Sequence, residues 1–145
     1  MGLNWLYDNK DFTETDIGDN YGFVYLITNT ITGKKYVGKK FFYSSKTKVL
    51  KGKKKRYKVQ SDWQTYYGSN TEIQNDVKIN GEAAFKREII HLCKSKGECG
   101  YLEAKEQFDR GVLESNDYYN NWIMVRVRKS HIKAFNERIL ATIKE

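Results

Sequence analysis

Residues 21–40, YGFVYLITNTITGKKYVGKK, limit what this chain can fold into more than any other stretch. FVYLIT is a short β-branched and aromatic run, the composition of a buried strand. NTITG supplies a turn ending on Gly33, and KKYVGK reads as the return strand. A hairpin with its tip near Thr30 and Ile31 sets Tyr25 opposite Tyr36, since both stand equally far from the tip. Cross-strand partners share a face of the sheet, so two phenols are expected side by side.

The lysines that follow give the hairpin a chemical context. Between Gly33 and Lys58 there are twelve Lys or Arg, and from Asn20 to Ser61 there is no acid. Like charges this dense repel one another unless they face a polyanion, whose condensed counterions they release. Nucleic acid is the partner this pattern favours, with Lys39, Lys40, Lys46, Lys48, Lys53, Lys54, Lys55, Arg56 and Lys58 as contacts. KGKKKRYK has little to bury, so residues 46–58 are read as a basic loop that orders on binding. Anionic lipid is disfavoured, because no amphipathic or lipidated anchor accompanies the run. No apolar stretch approaches the ~20 residues that span a bilayer.

At 145 residues a single domain is expected. Residues 1–20 have weak periodicity and read as an N-terminal arm; they carry acids and lack the apolar core of a signal peptide. An intracellular, cytoplasmic protein is expected. Ser61 or Asp62 can cap a short helix over WQTYY, and Asn70 another that stops at NG (80–81). AFKREIIHL (84–92) is the third strand, KSKGECG a turn, and residues 101–113 a helix with Tyr101, Ala104, Phe108 and Val112 at helical spacing. NDYYN is a polar turn, WIMVRVR an extended segment, and HIKAFNERILATIK a last helix. The fold class is α+β: a small three-stranded antiparallel sheet flanked by helices, with an extra C-terminal helix. The central domain spans 21–120, and residues 121–145 form an extension packed on it. His91, Cys93 and Cys99 give H-x-C-x5-C, a start to a zinc site with no fourth ligand, so buried or free thiols are expected.

With its triplets FVY (Phe23, Val24, Tyr25) and YVG (Tyr36, Val37, Gly38), the hairpin resembles the GIY-YIG nucleases. Their first Gly is missing, although Gly22 lies one place earlier. The resemblance continues through FKREII (85–90), Glu103 in YLEAKEQF, and the pair Tyr119–Asn120. It is strongest to the small endonucleases of tailed phages, which implies a phage origin and the cytoplasm of a bacterial host. It also implies a DNA endonuclease that uses Mg2+, with Mn2+ as a substitute.

Phosphodiester hydrolysis needs a water, an acceptor for its proton and charge compensation at phosphorus. By resemblance Glu103 holds the metal, with Glu106 as its competitor one turn on, and Tyr25 or Tyr36 takes the proton. Asn120 steadies the site around the Glu-bearing helix. The family places an arginine on the helix after the second strand. Here Lys46 stands at that distance and the first arginine is Arg56, to which an insertion in the basic loop would carry the catalytic role at the scissile phosphate, while Lys39 or Lys40 offers a point charge instead. A nucleic-acid-binding module without catalysis, or an effector that binds an acidic host protein, is the alternative on the same fold. Monomer and dimer both remain open, since double-strand cleavage needs two active sites or two successive nicks.

Overall fold

In the computed structural model, which describes residues 3–144, the aromatic run becomes β3 (Gly22–Asn29) and its return β4 (Lys35–Phe41). The third expected strand is β7 (Phe85–Cys93), antiparallel to β3 on its other side. Strand β3 thus has neighbours on both edges, which is why a near-continuous apolar run suits it.

The sheet is larger than the expected three strands. Residues from the stretch read as an arm form β1 (Trp5–Tyr7) and β2 (Lys10–Phe12). Strand β1 runs parallel to β7, giving a mixed sheet of order β2-β1-β7-β3-β4. Asp8 and Asn9 link the two short strands with φ of 53° and 64°, the geometry of a type I′ hairpin. Trp5 fixes this addition to the core: it is 1% exposed, packs on Phe23 and Tyr25, and donates through Nε1 to Trp63 O at 2.6 Å.

The basic stretch is a hairpin, not a loop. Strands β5 (Tyr43–Leu50) and β6 (Lys53–Gln60) pair antiparallel as a separate two-stranded ribbon. Lys51 and Gly52 turn it, with φ of 52° and 76°, again the I′ requirement. Alternation sorts its charges: Lys46, Lys48, Lys53 and Lys55 share one face with Tyr57, and Lys54, Arg56 and Lys58 share the other.

Helix α1 (Thr71–Asn80) has the expected cap, Asn70 Oδ1 accepting from Ile73 N at 3.1 Å, and stops at Gly81. The helix expected over WQTYY shortens to a 3-10 turn, Trp63–Thr65. Helix α2 (Lys96–Asp109) begins before Tyr101, because Ser95 Oγ accepts from Glu98 N at 3.1 Å and turns KSKGECG into a first helical turn. Residues 121–128 carry no strand. Helix α3 (Lys133–Lys144) docks on α2 through an Arg138–Glu98 ion pair and Phe135 against Tyr101.

Two apolar layers result. Phe23, Tyr25 and Ile27 of β3 face Trp5, Phe42, Trp63 and Phe85, while Val24 and Leu26 face Val37, Cys99 and Leu102. No described helix is long and apolar enough to cross a membrane. Because Trp5 is enclosed by the first layer, Trp5→Ala is expected to cost about 3–5 kcal/mol in urea unfolding. A free arm would leave the midpoint unchanged.

Candidate active site

The hairpin loop is two residues longer than the sequence suggests. Asn29 N donates to Lys34 O at 2.8 Å and Gly33 N to Asn29 O at 2.7 Å, leaving residues 30–33 as the loop. The register therefore pairs Tyr25 with Gly38 and Ile27 with Tyr36, not Tyr25 with Tyr36. A slip of two residues keeps every side chain on its face. The phenols are still neighbours, now diagonal, with ring centroids 6.1 Å apart.

This register gives the glycine of YVG a reason. A Cβ on Gly38 would lie 2.3 Å from Tyr25 Oη, and Tyr25 is hemmed in by Trp5, Tyr36 and Tyr66. Gly22 is equally constrained, since its Cβ would meet Lys40 O at 2.6 Å.

Strand β4 is an edge strand, so its outward backbone groups need partners from elsewhere. Lys35 N donates to Asp117 O at 2.8 Å, and Tyr119 N donates to Lys35 O at 2.7 Å. Two residues on, Val37 N donates to Asn120 Oδ1 at 3.0 Å, and Asn120 Nδ2 returns to Val37 O at 2.8 Å. Gln107 Nε2 of α2 donates to the same Val37 O at 3.1 Å. Asn120 therefore grips β4 directly and reaches α2 only through that shared carbonyl. Two residues further, Lys39 meets Glu103 of α2, with Nζ 3.2 Å from Oε1.

Glu103 is 15% exposed. Burial pushes its carboxyl above the usual range, and the Lys39 ammonium and backbone N–H pull it partly back. Tyr25, at 1% exposure, is raised well above 10 by burial, then by Tyr66, Tyr36 and Glu103. Tyr36 is half-buried and also raised by burial, against a hydrogen bond to Ser69 Oγ at 3.3 Å. Both phenols are neutral at rest, and both feel the Glu103 charge. On their side of the sheet Lys40 Nζ lies 4.1 Å from the Tyr66 ring centre and 2.6 Å from Asp62.

Glu106 points elsewhere, to His91 Nε2 at 2.7 Å and Arg110 Nε at 2.9 Å. Burial would raise its pKa, but those hydrogen bonds hold it below the usual carboxylate value. His91 Nε2 is thereby engaged by Glu106, and Cys93 and Cys99 are buried free thiols, the Cys99 thiol held up by its contact with Cys93 and by burial. Among the described residues no three His, Cys, Asp or Glu converge as a metal cage.

The edge of β4 thus gathers Tyr25, Tyr36, Glu103 and Asn120, together with Lys39. Arg56 is not among them: it stands exposed on β6 opposite Thr47, and no described hydrogen bond or ion pair joins it to the cluster. Lys46 is likewise on the ribbon, opposite Tyr57. Helix α1, the helix after the second strand, contains no arginine. The sequence reading did not foresee the bond of Gln107 to β4 or the packing of Tyr66 on Tyr25; the signal for Gln107 is its place one turn beyond Glu103.

The family model described as "Putative endonuclease segE, GIY-YIG domain" matches residues 5–123. The "Putative endonuclease segE" of Enterobacteria phage T4 is 34% identical over 100 residues, which cover 69% of this chain and 40% of that protein. The chain thus spans less than half the length of that relative. No solved structure matches.

Since the folded pKa of Glu103 lies above its value of 4.5 in an unfolded chain, the ionised carboxylate destabilises the fold at neutral pH. Glu103→Gln is expected to raise the Tm near pH 7. The advantage should shrink as pH falls through the raised pKa and vanish below the unfolded one. A Gln variant less stable than wild type near pH 7 contradicts this burial account.

Proposed function

The chain belongs to the family of segE-type GIY-YIG domains, and from that premise we propose that it is a Mg2+-dependent DNA endonuclease, Mn2+ substituting for Mg2+. The observation that carries the reading is Glu103: a largely buried carboxylate 3.2 Å from Lys39 Nζ, at the edge of the strand whose Gly38 makes room for the Tyr25 hydroxyl. A structural position would be better served by an uncharged residue.

Mg2+ needs only one or two protein carboxylates, with water and phosphate completing its octahedron. Glu103, partly open and countered by a single lysine, fits that demand. Bound there, the ion supplies charge compensation and makes a water more acidic.

The chain's own groups divide the remaining work. Tyr36, half-buried, is the phenol that meets the attacking water, its hydroxyl accepting a hydrogen bond. Tyr25, fully buried, positions the Tyr36 ring. The raised pKa of Tyr36 keeps it neutral at rest, and positive charge beside the hydroxyl would favour its ionised form. Lys39 places its ammonium where phosphate charge accumulates. Asn120 and Gln107 hold β4 and α2 at fixed separation through Val37.

Lys46, Lys48, Lys53, Lys54, Lys55, Arg56 and Lys58 on the ribbon, with Lys40 at the cluster, meet the DNA backbone. A two-stranded ribbon also fits the major groove. Lys48 and Lys55 lie directly opposite each other, a repulsion that phosphate relieves. A second reading, a nucleic-acid-binding module without catalysis, is favoured by the lack of an arginine touching Tyr25, Tyr36 or Glu103 among the described residues.

Supercoiled plasmid incubated with the protein and Mg2+, with and without chelator, separates the two readings. Wild type should nick only with metal, Glu103→Ala should bind DNA and not cleave, and Tyr36→Phe should slow nicking by roughly 10²-fold or more. Binding without cleavage by wild type establishes the second reading. If the ribbon neutralises about six phosphates, log affinity should fall with log salt at a slope of roughly −5. Replacing Lys46, Lys48, Lys53 and Lys55 with Ala should flatten that slope.

A further inference from the structure

A cleft of about 530 Å³ lies between the first turns of α2 and the segment 124–131. Its lining includes Lys39, Lys96, Arg126 and His131 and no Asp or Glu, in a chain with 18 acids. Such a volume is of the size that holds a nucleotide.

Two glycines shape it. Glycine inside a helix costs about 0.5–1 kcal/mol relative to Ala, and α2 carries Gly97 and Gly100 in its first half. Gly97 seats the opposite wall, because a Cβ there would lie 2.5 Å from His131 Cβ. Gly100 leaves the helix bare where it faces the cleft: within 4 Å its Cβ would meet only Lys39 Nζ, at 4.0 Å.

Lys39 joins the cleft to the candidate active site, since the same ammonium is 3.2 Å from Glu103 Oε1. Glu103 stands one turn beyond Gly100 on α2. His131 Nδ1 accepts from Arg128 N at 3.2 Å, which puts the ring proton on Nε2, a donor. Arg126 is exposed, and no described acid pairs with it.

We propose that this cleft binds a phosphodiester of the substrate strand next to the bond that Glu103 faces, with Arg126 supplying the guanidinium. Lys39 bridges the two phosphates, and His131 and Lys96 complete the donor set. A guanidinium presents a planar fork to two phosphate oxygens, which a lysine does not. The identity of the anion as a DNA strand rests on the nuclease reading; the anion site itself does not.

The test has a binding arm and a cleavage arm. In the first, 15N-labelled protein is titrated without metal, first with inorganic phosphate and then with a short single-stranded oligonucleotide. The largest shifts are expected at the Gly97 and Gly100 amides, Arg126 Nε and the His131 ring, and Arg126→Ala should weaken oligonucleotide binding there about tenfold. In the second, Arg126→Ala should lower nicking by roughly 10²-fold, with only partial recovery in Arg126→Lys. Shifts confined to the β5–β6 ribbon, or an Arg126→Ala protein that binds and nicks like wild type, overturn the proposal. If wild type never nicks yet these shifts appear, the cleft stands and the catalytic reading falls.

Discussion

The open edge of β4 is the constraint on which the rest of the structure depends. An edge strand exposes backbone donors and acceptors that must be paired, and here the pairing runs in steps of two residues. Lys35 is met by the backbone of 117–119, Val37 by the side chains of Asn120 and Gln107, and Lys39 by Glu103. The partners come from two parts of the chain, α2 and the segment 117–120, so closing the edge also assembles the site. Glu103 is where the closure is least complete: a carboxylate takes the place of a strand and keeps acceptor capacity for something else.

Much of the hairpin was legible because alternation is local. Phe23, Tyr25 and Ile27 against Val24 and Leu26 define two faces without tertiary information. The register was not legible, since it depends on whether Asn29 closes the loop with Lys34 or with Thr32. The error was harmless to the phenols because a two-residue slip preserves the face, and it concealed the role of Gly38. The ribbon and the first two strands were missed for a different reason. Their turns, Lys51–Gly52 and Asp8–Asn9, are I′ signals, but charge density in one case and strand length of three residues in the other outweighed them. Trp5 reaches the core only by packing on residues far along the chain, which no periodicity within residues 1–20 reveals.

The candidate site shows the same division. Tyr25, Tyr36, Glu103 and Asn120 were readable as an ordered set, and the structure brings them to one edge. The sequence favours Glu103 over Glu106 by resemblance, and the structure adds their surroundings: Glu106 meets His91 on β7, and Glu103 meets Lys39 on β4. Ser95 and Glu98 in SKGE already carried the capping signal that starts α2, masked by the two glycines around it. Arg126 had no local signal, because tertiary contacts, among them the seating of His131 on Gly97, bring segment 124–131 beside α2.

The placement of the ribbon follows from the edge as well. Phe42 is the single residue between β4 and β5; it is 0% exposed and packs on Phe12 and Trp63. Phe42 N donates to Tyr21 O at 3.1 Å, and Ser61 N donates to Phe42 O at 2.8 Å, so both legs of the ribbon are tied at its base. Eight basic residues are thereby carried on a support rooted beside the end of β4, not on a loose loop. The tyrosines occupy one side of that strand, and Lys39 with the acid-free cleft occupies the other. On the proposed nuclease reading, a strand that reached both would have to cross the edge where Glu103 stands, and a ribbon tied at its base through Phe42 would limit the angle at which duplex arrives. The direction of the ribbon is then a property of the core, set by the same aromatic packing that buries Tyr25.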